Sequence, residues 1–333
     1  MKKKMIFFVC GISILLSGGV LSAAQSDFQG GTFLDSQAGT RPTGLAGAYT
    51  AIASDGNASW WNPAALAMLD KKKSMSLTYV PSMLGIGEGN ISNFFAAYGQ
   101  GDTGGYGALG ASISYTSVKF GAEFTGDTEL DWSELTALLS WGMQVNQYFG
   151  MIKYKYPKVS VGVNLKYLGN NSDLKVDGKT VSASGFSADA SVHAAFKENL
   201  AVAFTAKDII SQLTWSSGLA EKVPYSLRLG AYYGITADFL LAGEIKADET
   251  SKGSPEISAY SGAVEYGFLL DRSMQVQKVA LRGGITVDPN NDCYIIAAGA
   301  SVEMETFSVD YAYQHYLNVM LENTHRFGVS MTF

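Results

Sequence analysis

The sequence predicts an all-β chain: a transmembrane antiparallel β-barrel of about fourteen strands, with a short helical N-terminal hatch in its lumen. Three observations lead there. From residue 71 onward the dominant period is two, the mark of strands whose two faces differ. Charged residues make up only 16% of 333, against roughly 25% in an ordinary soluble domain, and Gly reaches 37, above the usual ~7%. The N-terminus reads as an export signal. This divides the chain into a signal peptide (1–24), a hatch (25–70) and a barrel (71–333).

The export signal comes first in the chain. Lys2, Lys3 and Lys4 precede an apolar run from Met5 to Leu21, and the small residues Ser22, Ala23 and Ala24 precede Gln25. Basic, apolar and small-residue segments in that order define a secretory signal peptide. The apolar run is interrupted by Gly11, Ser13, Ser17, Gly18 and Gly19, which argues against a retained anchor. Cys10 lies too early for a lipoprotein cysteine. Cleavage takes three lysines and no acid, so the mature chain is more acidic than the net −6 of the whole sequence; nucleic acid is not an expected partner. Only Cys293 remains after cleavage, so no intramolecular disulfide is available. No later stretch reaches eighteen consecutive apolar residues, the length of a membrane helix.

Residues 37–69 break the period-two rule and read as two short helices. In Thr43–Ala53, Leu45, Ala48, Tyr49 and Ile52 share a helical face, and Asp55-Gly56 supplies the stop. The second helix starts at Asn62, whose side chain suits an N-cap, with Pro63 in the position where a missing N–H costs nothing. Trp60 and Trp61 then lie just outside that helix, where they could wedge against a wall; a surface helix with a hydrophobic staple is the competing reading. A barrel of this size has a lumen that its wall side chains do not fill, so this segment is the candidate plug.

Fourteen strands are expected at about 74–81, 92–100, 107–117, 133–143, 158–168, 184–196, 200–208, 225–234, 238–247, 258–267, 278–287, 293–303, 306–314 and 324–333. The last is the clearest: Phe327, Val329, Met331 and Phe333 face one way, Arg326, Gly328, Ser330 and Thr332 the other. Val159, Val161, Val163, Leu165 and Tyr167 likewise oppose Ser160, Gly162, Asn164 and Lys166. A soluble sandwich also alternates, but it spends more charge on its polar face. Here aromatic residues gather near strand ends, at Tyr225, Tyr233, Tyr260, Tyr266 and Phe333, as in the girdles of an outer-membrane barrel. Backbone groups in lipid must all be paired, so the sheet must close. With the N-terminal segment in the periplasm, odd-to-even connections should be long; 118–132, 169–183, 209–224 and 315–323 fit. The connection 144–157 is long where a short turn is expected, so either the fourth strand runs further or the count there is off by a pair.

The inward phase carries Arg228, Glu244, Lys246, Glu265, Arg282, Glu303, Asp310 and Arg326. Buried charges are costly unless paired, so cross-strand ladders are expected, for example Asp310 with Arg326. Their main role is wall stability and lumen solvation, with a gating or carboxylate-binding role open for Arg282 or Arg326. His193, His315 and His325 are scattered, and no nucleophile, base and orienting acid converge in the pattern. No enzyme activity, metal or cofactor is expected. The stretch 99–110, GQGDTGGYGALG, lacks the lysine and hydroxyl residue that end a phosphate loop and precedes a strand, so it reads as a turn.

The run from Gly39 to Ala64, GTRPTGLAGAYTAIASDGNASWWNPA, resembles the N-terminal motif of the PorV/PorQ family and a related uncharacterised spirochaete-type family, within the wider FadL-like superfamily. The matching positions include Arg41, Pro42, Gly44, Gly47, Asp55, Asn62 and Pro63, with Trp60 and Trp61 between them. Ala46 stands where a second Gly is common, and Ala65 follows the Asn-Pro-Ala. Val309–Tyr313, Asn323–Arg326 and Val181–Phe186 also resemble PorV/PorQ proteins. The resemblance implies a fourteen-stranded barrel whose N-terminal hatch occludes the lumen. It implies passive uptake of long-chain fatty acids or other hydrophobic compounds or, for PorV/PorQ members, protein secretion or surface attachment without transport. Implied partners are outer-membrane lipid, a hydrophobic small molecule, the barrel-assembly machinery reading Phe333, and secreted cargo.

Overall fold

The computed structural model describes residues 38–52, 54–69, 72–81, 90–102, 104–120, 130–148, 157–176, 178–270, 275–290, 293–317 and 323–333. The expected signal segment lies outside them. Fifteen strands are described: β1 (Lys73–Val80), β2 (Asn90–Gln100), β3 (Ala108–Phe120), β4 (Leu130–Gln144), β5 (Lys158–Val176), β6 (Lys179–Lys197), β7 (Leu200–Trp215), β8 (Ala220–Glu221), β9 (Ser226–Gly234), β10 (Phe239–Glu249), β11 (Pro255–Leu269), β12 (Lys278–Asp288), β13 (Cys293–Glu303), β14 (Phe307–Leu317) and β15 (Thr324–Thr332). All but the two-residue β8 form one antiparallel ring. Neighbours in sequence pair in turn, β7 pairs with β9, and β15 returns to β1 from Ser74↔Thr332 to Tyr79↔Phe327. Closure satisfies both edges of the first and last strands, so the sheet presents no open edge.

Burial runs opposite to that of a soluble protein. Ser160, Asn164, Lys166, Asp189 and Arg282 are buried, whereas Leu165, Tyr260, Val264, Leu281, Ile296 and Phe327 are exposed. The apolar phase of each strand therefore faces outward, and the polar phase faces the lumen. An exposed apolar face wrapping a closed barrel is stable only where the surroundings are themselves apolar.

Several boundaries differ from the sequence expectation. The stretches 169–183 and 209–224, expected as loops, are largely strand: β5 and β6 pair as far as Val176 and Lys179, and β7 runs to Trp215. Their polar and Gly-rich composition belongs to a ladder that continues above the apolar band, where backbone pairing tolerates polar side chains. The expected strand count holds around 144–157: β4 reaches Gln144 and pairs directly with β5, and helix α3 (Val145–Tyr148) opens the connection. Most of that connection, 149–156, lies outside the described residues.

Ahead of β1, the described N-terminal segment 38–69 folds inside the ring. It comprises α1 (Thr40–Gly44), turns from Leu45 to Ile52, α2 (Ala58–Trp61) and a 3₁₀ helix, η1 (Pro63–Met68). The single helix expected over 43–53 does not form. Ala46 at φ 50° and Gly47 at φ 77° reverse the chain after α1, a conformation that glycine adopts freely and alanine rarely. Leu45, Ala48, Tyr49 and Ile52 are nevertheless all buried, sharing a core with Trp60, Trp61, Leu66 and Phe95.

Candidate functional site: a luminal segment joined to every strand of the ring

Asn62 begins the second half of the segment as the sequence predicts, although the element it caps is 3₁₀. Its side-chain oxygen accepts from Ala64 N at 3.1 Å, and its amide donates to Thr50 O at 2.8 Å. One side chain thus starts η1 and ties it to the turns before α2. Trp60 and Trp61 lie outside η1, as expected, but within a short helix of their own, α2. Trp60 meets the wall edge-on at Phe95, with ring centroids 5.6 Å apart. Trp61 packs on Tyr49 at 5.8 Å and donates from Nε1 to Ala38 O at 2.8 Å. Both rings therefore meet the wall, Trp60 at Phe95 and Trp61 at Lys207 and Arg228, and Trp61 also organises the segment itself.

Two kinds of contact hold the segment to the wall. Around β3 to β7 they are mostly small and neutral, the exception being Lys207 of β7, whose Nζ lies 5.5 and 5.4 Å from the Trp60 and Trp61 ring centroids. Ser59 hydrogen-bonds Ser112, Ser140 donates to Ser59 O at 3.0 Å, Ser160 donates to Ala64 O at 2.8 Å, and Ser191 accepts from Ala64 N at 2.9 Å. His193 Nε2 lies 3.0 Å from Ala51 O, and Thr205 donates to Trp61 O at 3.4 Å. Gly142 and Gly162 let the backbone of η1 reach the wall, since a Cβ at either would collide with Pro63 or Ala64. From β9 to β12 the contacts are mainly charged. Arg228 lies 5.2 Å from the Trp61 ring centroid and donates to Glu244 at 2.8 Å; the other oxygen of Glu244 accepts from Tyr49 N and Thr50 N at 3.1 and 3.0 Å.

The largest charged group centres on Glu265. Arg41 donates to it twice, Nε at 3.0 Å and Nη2 at 2.8 Å, and Arg282 Nε donates to it from the neighbouring strand. Arg282 continues to Asp310 at 2.9 Å and Ser301 at 2.9 Å. Within the segment, Arg41 lies 3.5 Å from Asp55, which also accepts from Tyr49 Oη. Burial first, and the Asp55 charge second, push the Tyr49 phenol well above its usual range, so it keeps the proton it donates. Thr286 donates to Ala46 O at 2.6 Å. Close backbone approach of Gly44 to Gly299, α1 lying against β14, and Thr40 against Gly328 and Thr78 complete the circuit with Ser74 of β1. The segment thereby touches all fourteen ring strands.

The structure brings Arg41, Asp55, Glu265, Arg282 and Asp310 into one network, and Arg228 and Glu244 into a second. It does not pair Asp310 with Arg326. Register places Asp310 opposite Gly328 and Arg326 opposite Ala312, and Arg326 Nη2 instead meets Gln314 at 3.4 Å. Glu303 stands at the rim, 3.4 Å from Lys278, and Lys246 pairs with Asp248 at 2.7 Å. Pro42 and Gly44 are buried in α1, and Pro63 is buried at the start of η1. Phe333 is exposed, and its backbone pairs with Lys73 where the ring closes. The serine set and His193 escaped sequence reasoning. Alternation puts them on the inner face, but nothing local separates them from inward serines that touch only the wall. A further triad, Lys166 with Asp189 at 2.7 Å and Asp208 at 2.9 Å, braces the wall where Asp208 adopts φ 57° at a bulge between β6 and β7.

No protein-family model and no curated protein matches the chain. Solved structures do. One titled CymD monoaromatic hydrocarbon channel aligns at TM-score 0.62 and 13% identity, over 89% of this chain and 96% of that one. The P. putida toluene transporter TodX aligns at 0.59 and 11%, over 89% and 98%. A Pseudomonas aeruginosa FadL homologue aligns at 0.53 and 14%, over 89% and 98%. The chain therefore has the fold of these proteins, a closed fourteen-stranded antiparallel barrel spanned by nearly the whole of each.

Proposed function

We propose that the protein is an outer-membrane barrel of FadL-like type that passes hydrophobic small molecules, long-chain fatty acids among them, down their own gradient past a hatch formed by residues 25–70. The observation that carries this is the inverted burial of a closed barrel whose own N-terminal segment fills the lumen. A lumen occupied by residues 38–69 argues against a hydrophilic porin. The fold shared with structures titled as a monoaromatic hydrocarbon channel and a toluene transporter supports an apolar cargo. Export by a cleaved signal peptide and insertion by the barrel-assembly machinery, with Phe333 as its signal, belong to this reading. Liposomes carrying the purified protein should take up a labelled long-chain fatty acid faster than empty ones while showing no stepwise ion conductance. Equal uptake with and without protein would sink the reading.

A PorV/PorQ-type role in secretion or surface attachment is the second reading. The contact of the segment with every ring strand favours it, because a plug so widely joined suits a docking platform. Loss of surface-attached cargo on deleting the gene, with fatty-acid uptake unchanged, would select it.

A further inference from the structure

The outer face of the barrel carries a furrow with a volume of about 490 Å³ across β12 to β15, β1 and β2. One bank is a row of rings that are successive cross-strand partners: Tyr311, Phe327, Tyr79 and Phe94. The other is a row of shorter side chains in the same relation, Val302, Val309 and Val329. Two rings of this bank are held by contacts of their own. Tyr311 Oη lies 2.7 Å from His325 Nδ1, and the Tyr311 and Phe327 rings pack with centroids 5.4 Å apart. Beneath the floor, on the luminal side of the same backbone layer, Thr40 lies against Gly328 and Thr78.

We infer that this furrow holds one acyl chain of a membrane lipid; the inference rests on the outer-membrane reading above. The banks stand two residues apart along each strand, about 7 Å, which suits a single hydrocarbon chain and not the convex side of another barrel. The furrow crosses the strands, and strands of such barrels tilt by ~35–45°. It is therefore itself inclined to the membrane, in a direction a lipid chain can follow. It is continuous with the exposed apolar belt, so the hydrocarbon around the belt is its natural occupant. Two of its rings are already packed on each other, so a chain settling against them meets side chains that are in part ordered beforehand.

The test uses the full-length protein in bilayers of phospholipid with brominated chains, which quench tryptophan on contact. Phe327→Trp places the reporter in the ring bank, and Ile285→Trp places it on the same outer belt outside the furrow; emission is read over that of the unsubstituted protein. Both reporters should be quenched in the bilayer. After exchange into lipid-free detergent, the reporter at 327 should stay mostly quenched while that at 285 recovers several-fold. Adding Ala300→Phe, which fills the furrow, should let the 327 reporter recover as well. Equal recovery of the two single reporters on exchange would overturn the lipid site while leaving the membrane reading intact. Quenching at 285 but not at 327 in the bilayer would mean that another protein copy covers the furrow, and would also overturn it. Absence of quenching at both positions would refute the membrane reading itself.

Discussion

Arg41 and Glu265 stand 224 residues apart in sequence and meet through two hydrogen bonds, 3.0 and 2.8 Å long. The first belongs to the luminal segment and the second to β11, so this pair joins plug to wall. Glu265 also takes Arg282 from β12. Removing Arg41 therefore leaves the carboxylate with one cation. Arg41→Ala should cost on the order of 1–3 kcal/mol, below the ~3–5 kcal/mol of a wholly orphaned buried charge. Thermal unfolding in detergent measures this, and protease access to the segment should rise.

Asn62 makes two buried bonds, one capping η1 and one reaching Thr50. Asn62→Ala should lower stability by about 1–2 kcal/mol. Changing Asn62 and Pro63 together should raise leakage of a small dye from proteoliposomes. Folding of the ring, read from heat-dependent migration on gels, should be unaffected. Unchanged leakage would demote the cap to a local feature.

Gly162 and Gly262 separate packing from backbone freedom. A Cβ at Gly162 would run into Pro63 and Ala64, whereas one at Gly262 meets nothing within 4 Å. Gly162→Ala should displace η1 and increase dye leakage, and Gly262→Ala should be silent. Equal effects would mean that η1 does not rest on the wall at β5.

The register correction has its own consequence. A double-mutant cycle on Asp310 and Arg282 should show coupling of about 1–3 kcal/mol, and one on Asp310 and Arg326 close to none. The reverse order would restore the ladder expected from the strand phase alone.

Much of the ring was legible because an apolar outer face and a polar luminal face impose an alternation along its strands. Alternation tells which face a residue occupies; it does not tell its neighbour. Asp310 and Arg326 share the inner face on adjacent strands, yet register sets each opposite a small residue. The ends of β5, β6 and β7 were misjudged for a related reason. Above the apolar band a strand needs no apolar face, so Ser172 and Ser182 read as loop although their backbones pair. In the luminal segment, the Asn62–Pro63 start could be read from capping chemistry. The break at Ala46 is local, since Ala46 N–H bonds Thr43 O and Gly47 N–H bonds Pro42 O to end α1 at a left-handed residue; it was missed because alanine stands where that turn favours glycine. Arg41 and Asp55 stood out through the motif resemblance and Glu265 through its inward phase, but nothing local said that Arg41 would meet Glu265.

Cargo passing the hatch as proposed requires the luminal segment to move from the wall, and a reversible lock tests that movement most directly. Thr40 and Thr78 place their hydroxyl oxygens 3.0 Å apart across the boundary between segment and β1, close enough for a disulfide between cysteines at the two sites. With Thr40→Cys and Thr78→Cys in a Cys293→Ser background, fatty-acid uptake by proteoliposomes should fall to the protein-free level under oxidation and return on reduction. Full uptake with the disulfide formed would contradict the account.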